Sequence, residues 1–550
     1  MFRPVYLSGR IRSLHVLASF VIFCILLSTV RFYRQQQSRP PSIYDYTDGK
    51  TEGTWLNDTS QDVQTEETVY LRALASQYGL TKDIPWFSRR IRPTYKSKAR
   101  SSMTQTSVKL LSRDFQRVRI EDEKLGLQAE KAIQLPLRRS ATPDQVDVSS
   151  LIFGISTSYS RLIYSNDSLM HDWARWLTDG KGRSNGASLV LTLQQASNAE
   201  LSYVSTELRQ LGIDAVVLPA SDNLDITARY AELLHMLSRR SDELSKEGKG
   251  KKFLSLVDDD VFFPSLAKLL EKLSKFSVKQ NIYLGMPSER ADWTVENNIT
   301  MTYGGGAVSF TVPMANKLVQ LPCLKKDKEP EGGGASRENE NVYWDELLYS
   351  CVSEHTDDSL YVLPSFYVPE DDYHGLRTGY EGGVQPLTLH HYKHRHSFEA
   401  WKAHMITSLC GEDCFLQRFW FKDSWILVNG HTISHYPDGV EVLPLKKSSL
   451  LVTQQNRDNE RIVQTAKRLV VDAVQGRDER KVVSWTGVKQ TWRLLDARTT
   501  DKGEVWQAYI KRRGSPVSYG DEDDRLPEDT VHTQEGPSDV DSIIVLIWEA

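Results

Sequence analysis

The chain has 550 residues, a formal net charge of −4, and a composition that is 40% hydrophobic and 25% charged. That length exceeds what one core covers and points to two or more folded units, with enough apolar residues to build them. So even a balance of charge sets aside nucleic acid and anionic membrane surfaces as partners.

Leu14 to Val30 is an apolar run broken only by His15, Ser19, Ser28 and Thr29, with Arg3, Arg10 and Arg12 ahead of it. Its length is near the minimum that spans a bilayer. No small-x-small cleavage site ends the run, so a retained signal anchor is expected over a cleaved signal peptide. The basic residues favour a cytosolic tail over 1–13, although Arg31 and Arg34 behind the run reduce that bias. The remainder is then lumenal. Cys323, Cys351, Cys410 and Cys414, an even set outside the anchor, suit an oxidising compartment. Their spacing suggests Cys323–Cys351 and Cys410–Cys414, with the other pairings open. Acceptor sequons begin at Asn57, Asn166 and Asn298.

Residues 31–148 are expected to form a stalk. Gln35 to Ser42 is a polar, proline-bearing linker, Glu66 to Leu80 is a short helix, and Lys96 to Arg119 is basic with Phe115 as its only aromatic. From Leu151 the pattern changes. Short apolar or β-branched runs at Leu151–Ser156, Ala187–Leu193, Asp214–Leu218 and Phe253–Val257 alternate with helical patterns at Ser168–Asp179, Ala199–Leu211 and Leu224–Arg239. Such alternation predicts an α/β sheet covered on both faces, whose ligands bind at the carboxyl ends of the strands.

The fourth of these runs ends in Asp258-Asp259-Asp260, followed by Val261-Phe262-Phe263 and Pro264. Helical spacing resumes at Leu266, Leu269, Leu270, Leu273 and Phe276. Three acids on a strand–helix connection make a hard-oxygen site for Mn²⁺ or Mg²⁺, and helix capping is the plainer reading of the same residues. Thr157 to Arg161, after the first strand, fall on the same edge. Downstream come Tyr303-Gly304-Gly305-Gly306-Ala307, a helix entered at Pro313, and a charged insertion from Lys325 to Asn341. Trp344-Asp345-Glu346 then opens an amphipathic helix, and His390-His391 ends a further apolar run. Beyond Cys410 the texture is β-rich, with turns at Asn429-Gly430 and Asp438-Gly439 and an apolar tail at Ile543–Trp548. Trp485, Trp492 and Trp506 in this part are expected to pack in a core, with sugar stacking as the other use of such rings.

In this order, the aspartate triplet, glycine-rich strand entry, acidic pair and late histidine resemble the Fringe-like family of inverting β-1,3-glycosyltransferases, in its fungal branch of type II membrane proteins. The resemblance covers roughly residues 150–410. It implies a GT-A-like (Rossmann-type) mixed sheet with helices on both faces over 149–409, followed by a β-rich module over 410–550. It also implies a UDP-sugar donor held near Thr157, Arg161, Asp258, Asp259, Gly305 and Gly306, and Mn²⁺ held by Asp258, Asp260 and either His390 or His391. Asp345 falls where the family keeps its general base, and Glu346 stays open for that role. The resemblance further implies a glycan or glycoprotein acceptor and a Golgi or ER membrane location. The core-1 transferases make galactose the first donor to consider, ahead of N-acetylglucosamine and glucose. Two rivals stand beside this reading. A glycoside hydrolase would need two flanking carboxylates and no metal, and a catalytically silent lectin-like or scaffold protein would need none of these groups.

Overall fold

The computed structural model describes residues 65–164, 168–287, 302–324, 343–358, 360–362, 385–390, 392–393, 399–444, 481–520, 532–535 and 539–550. The expected anchor at 14–30, the stalk up to residue 64, the sequon asparagines and His391 lie outside them. Among the described residues no helix is long and apolar enough to cross a membrane.

The first elements are helix α1 (Glu66–Tyr78) and strands β1 (Asp83–Ser97), β2 (Thr104–Lys109), β3 (Gln116–Arg119) and β4 (Glu130–Arg138). The α/β region then runs β5 (Leu151–Ser158), α2 (Tyr159–Tyr164), α3 (Ser168–Leu177), β6 (Ser188–Gln194), α4 (Asn198–Gln210), β7 (Ala215–Pro219) and α5 (Ile226–Lys246). It continues with β8 (Phe253–Leu256), β9 (Val261–Phe262), α6 (Leu266–Leu273), β10 (Tyr283–Pro287), β11 (Thr302–Thr311) and α7 (Val312–Leu318). Helix α8 (Trp344–His355) and strands β12 (Leu360–Val362) and β13 (Leu389–His390) complete it.

Seven of these strands form one mixed sheet in the order β12-β10-β11-β8-β5-β6-β7. β8, β5, β6 and β7 are mutually parallel, and β11 runs antiparallel between β8 and β10. This is the expected α/β class, a mixed Rossmann-type sheet, and the four parallel strands fall where the apolar runs placed them. Alternate residues of β5 serve opposite faces. Leu151, Phe153 and Ile155 pack with Trp173 and Trp176 of α3 and with Val204 and Leu208 of α4. Ile152 packs instead with Tyr230, Leu233 and Leu237 of α5. Gly154 lets α5 approach, since a Cβ there would lie 3.1 Å from Leu256 and 3.2 Å from Leu233.

The second large sheet corrects the expected stalk. It contains β14 (Arg418–Lys422), β15 (Trp425–Val428), β16 (Thr432–His435), β19 (Gly487–Thr499), β20 (Val505–Lys511) and β23 (Ser542–Trp548), in the order β2-β14-β15-β16-β19-β20-β23-β1-β3; β17 (Glu441–Pro444) pairs with β18 (Lys481–Ser484) apart from it, and β21 (Pro516–Gly520) joins β19 to β22 (His532–Glu535). β1 lies parallel to β23 from Trp86 opposite Ile543 to Ile91 opposite Trp548, and β4 pairs with its other part. Residues 65–148 are therefore folded, and they share one sheet with the expected C-terminal module. In the basic segment expected to be a tether, Lys109 bridges Asp423 at 2.9 Å and Arg113 bridges Glu130 at 2.8 Å, and β1 ahead of it is tied to acids far along the chain. Arg90 bridges Glu504 at 2.8 Å and Glu549 at 2.6 Å, and Arg92 meets Glu549 at 2.7 Å. Trp485, Trp492 and Trp506 are buried, as expected of core residues. Both expected disulfides, Cys323–Cys351 and Cys410–Cys414, are formed.

Candidate functional site

β5 and β8 are parallel neighbours, so the segments that follow them emerge side by side. Near its end β5 supplies Thr157, and the first turn of α2 supplies Arg161. Past β8 the chain supplies the triplet. The two meet at Asp259, whose carboxylate accepts from the Thr157 hydroxyl. Arg161 forks onto the same carboxylate, Nε to Oδ2 at 2.6 Å and Nη2 to Oδ1 at 2.7 Å, and reaches Asp260 Oδ2 at 3.4 Å. A bidentate guanidinium fixes orientation as well as charge. Trp173 Nε1 donates to the Asp259 carbonyl at 3.0 Å, securing the backbone of the turn.

His390 arrives by strand pairing. β13 lies antiparallel to β9, with His390 opposite Val261 and Leu389 opposite Phe262. The imidazole is buried, with Nε2 3.3 Å from Asp260 Oδ1 and 3.7 Å from Asp258 Oδ2. Asp258 keeps 26% of its side chain exposed. Burial pushes its carboxyl above the ordinary range; His390 opposes this, while Asp260 and Asp259 add to it. Burial pulls on Arg161 in the opposite sense, and Asp259, Asp260 and Asp258 outweigh it, leaving the guanidinium raised. Among the described residues, one arginine faces the three carboxylates, a shortage of positive charge within that set.

That shortage bears on a divalent cation. Among the described residues, no three histidine, cysteine, aspartate or glutamate side chains are already gathered as a ligand set. The separations of 3.3 and 3.7 Å around His390 Nε2 are nonetheless close to the edge of a coordination octahedron, roughly 3 Å for bonds of about 2.1 Å. Carboxylate with imidazole is a donor set suited to Mn²⁺. Asp258, Asp260 and His390 carry donors of the kind such an ion takes, and Arg161 reaches Asp260 through Oδ2, the oxygen away from His390.

Helix α8 enters beside the triplet. Trp344 Nε1 donates to Asp258 Oδ1 at 3.3 Å, and its ring stacks on Tyr230 of α5 at 4.3 Å and 7°. The Tyr230 hydroxyl lies 2.9 Å from the Val257 carbonyl and 3.1 Å from Asp258 Oδ1. Asp345, the next residue, is buried in the first turn of α8, and its Oδ1 accepts the Glu346 N–H at 3.1 Å. Glu346 is half-buried. Gly305 and Gly306 lie in β11, where the pairing with β10 jumps from Gly285 opposite Val308 to Met286 opposite Tyr303. The four residues between, 304–307, are passed over by that pairing, an irregularity in the ladder. Ala307 within it sits at φ +90°, a backbone conformation costly for a residue with a Cβ.

The structure thus brings Thr157, Arg161, Asp258, Asp259, Asp260 and His390 to one sheet edge. Asp345 follows directly on Trp344, which touches that edge. Sequence reasoning missed Tyr230, Trp173 and the binding role of Trp344. Tyr230 and Trp173 occupy inward positions of helical patterns, where an aromatic is ordinary core, so no local signal marks them. A cavity of about 300 Å³ opens elsewhere, at the edge of the second sheet, between Arg100, Thr104, Arg138, Gln417 and Lys481. Its two arginines are turned to Asp413, Arg100 Nε to the carbonyl at 3.0 Å and Arg138 Nη1 to the carboxylate at 3.3 Å.

No protein-family model and no curated protein matches the chain. Among solved structures, it is similar to the glycosyltransferase GlyE of Streptococcus pneumoniae TIGR4, at 14% identity and a TM-score of 0.25, covering 44% of this chain and 53% of that one. A glycosyltransferase involved in glycosylation of the major capsid of PBCV-1 aligns at 10% identity and TM-score 0.22, over 44% of this chain and 91% of that one. A nucleoside-diphosphate-sugar pyrophosphorylase of Vibrio cholerae RC9 aligns at 12% and 0.21, over 37% and 88%. The chain spans about half the length of GlyE. With TM-scores this low, the fold rests on the strand order described above.

Proposed function

We propose that the chain is an inverting, metal-dependent glycosyltransferase that moves a sugar from a UDP-sugar to a glycan or glycoprotein acceptor. The observation that carries the reading is the convergence of Asp258, Asp260 and His390 at the end of β8, with Asp345 entering one residue after Trp344. A bound Mn²⁺ supplies Lewis-acid stabilisation of the leaving diphosphate. Arg161 adds a fixed positive charge at the same edge, and Asp258 and Thr157 border the nucleotide. Asp345 takes the proton of the acceptor hydroxyl as that oxygen attacks the anomeric carbon from the face opposite the diphosphate. A single displacement inverts the centre, so an α-linked donor gives a β-linkage. Glu346, half-buried in the same turn, is the other carboxylate able to accept that proton.

The resemblance to Fringe-like enzymes suggests a β-1,3 linkage, with galactose as the first donor to try. It also suggests a single-pass type II protein of the Golgi or ER with the sheets on the lumenal side. The test is a panel of UDP-sugars with and without Mn²⁺, following both transfer and release of UDP. Metal-dependent UDP release with one donor supports the reading. Hydrolysis of glycosides without nucleotide would replace it by a hydrolase.

A further inference from the structure

Two aromatic residues meet at one oxygen of the triplet. Tyr230 on α5 and Trp344 at the start of α8 stack face to face, and both bring a polar hydrogen donor within hydrogen-bond distance of Asp258 Oδ1. This leaves Oδ2 as the oxygen nearer His390. The two donors differ. Trp344 Nε1 has one hydrogen and one acceptor here. The Tyr230 hydroxyl also has one hydrogen, but it stands within reach of both Asp258 Oδ1 and the Val257 carbonyl. If the carboxylate shifts toward a bound ion, that hydroxyl still has an acceptor, so the movement strands no buried donor.

The placement of α8 gives the contact a second meaning. Farther along the helix, Leu348, Cys351 and Val352 are buried against the α5 side of the sheet, and Cys351 is disulfide-linked to Cys323. The first turn has no side-chain cap at Tyr343. Among the described residues the Trp344 indole ties this turn to the triplet, and Asp345 is the very next residue. We propose that Tyr230 and Trp344 are a positioning pair that clamps Asp258 between α5 and α8, so that the helix carrying the base is set in register with the donor site. This rests on the reading of Asp258 as a donor-site residue. Tyr230 fixes the carboxylate, and Trp344 fixes the helix to the carboxylate.

The two roles separate in kinetics. Trp344→Phe keeps a ring on Tyr230 but removes the hydrogen bond to Asp258. It is expected to leave UDP affinity with Mn²⁺ within about threefold and to lower kcat about tenfold, the size of effect of one hydrogen bond to a charged group. Tyr230→Phe keeps the stack and removes the hydroxyl. It is expected to weaken UDP binding about tenfold while kcat at saturating donor changes little. The measurements are calorimetric titration of the full-length protein with UDP and Mn²⁺, steady-state kinetics, and thermal unfolding of each variant. A purely structural role would lower the unfolding temperature and reduce apparent kcat and the titration stoichiometry together through the active fraction, with the UDP dissociation constant unchanged. Parallel losses in the two variants, or no change beyond twofold in either, overturn the proposal. Asp258→Asn separates the levels: if it binds UDP with Mn²⁺ as the wild type does, the donor-site reading itself falls, and the clamp with it.

Discussion

His404 gives the sharpest stability prediction. It is fully buried just after the α/β region, and its Nε2 donates to the carbonyl of Pro264, four residues past the triplet, at 3.0 Å. Its ring packs edge-on to Phe262 at 5.2 Å and Phe415 at 5.3 Å. Burial, aided by Arg175, pushes its pKa from 6.5 down to about 3. Between those values the unfolded chain binds a proton that the folded chain refuses, so this contribution to stability is lost as pH falls below 6.5. At pH 5 the difference is about 1.5 log units, or about 2 kcal/mol relative to pH 8. Asp172 works against it. Burial raises its carboxyl from 3.8 to about 6 despite the Lys393 ammonium 2.5 Å away, so it favours the folded state at low pH and loses that effect as pH rises through 6. At pH 5 it returns about 1 kcal/mol. The wild-type curve therefore mixes the two, and the comparison with His404→Gln isolates the histidine. In urea titrations, the stability gap between wild type and variant should narrow by about 2 kcal/mol from pH 8 to pH 5. A gap independent of pH would show that His404 is not held neutral by burial.

Arg161→Ala should lower the unfolding temperature, because Asp259 and Asp260 lose their cation, and added Mn²⁺ should then stabilise the variant more than the wild type. A smaller Mn²⁺ effect in the variant would mean that the arginine does not offset the triplet's charge. Asp345→Asn is expected to keep UDP binding and lose turnover by at least about a hundredfold, the range of a general base. Undiminished turnover would move the base to Glu346, where Glu346→Gln is the check. A chain beginning at residue 149 should aggregate where one beginning at 65 stays soluble, because removing β1 uncovers the β23 edge, whose seven residues are all buried. Soluble, monomeric 149–550 would refute the structural role given to residues 65–148. Trp506→Ala should cost about 3–5 kcal/mol in denaturant unfolding, since the indole is fully buried against Tyr70 and Arg498.

The α/β half is legible because strands buried on both faces are continuous apolar runs, and the helices between them keep one apolar stripe. Leu151–Ser158, Ser188–Gln194 and Phe253–Leu256 all show this. The triplet is legible because three charges at a strand end have no packing reason to be there. His390 is a different case. It joins the site through a two-residue strand pair with Val261-Phe262, and no local spacing foretells that; only the family resemblance pointed to it. Residues 65–148 depart from the expected stalk because their partners lie far along the chain: Lys109, in the basic segment Lys96–Arg119, meets Asp423, and Arg90 and Arg92 in β1 meet acids more than four hundred residues away. Charge counted locally looks solvated; the same charge paired at long range is part of a sheet.

The central claim is that the triplet and His390 hold a metal-bound nucleotide diphosphate. Calorimetric titration of UDP into wild type and Asp260→Ala, each with and without Mn²⁺, tests it most directly. Binding to the wild type should require Mn²⁺ and disappear in Asp260→Ala. Absence of UDP binding by the wild type in either condition, or equal binding by the variant, would contradict it.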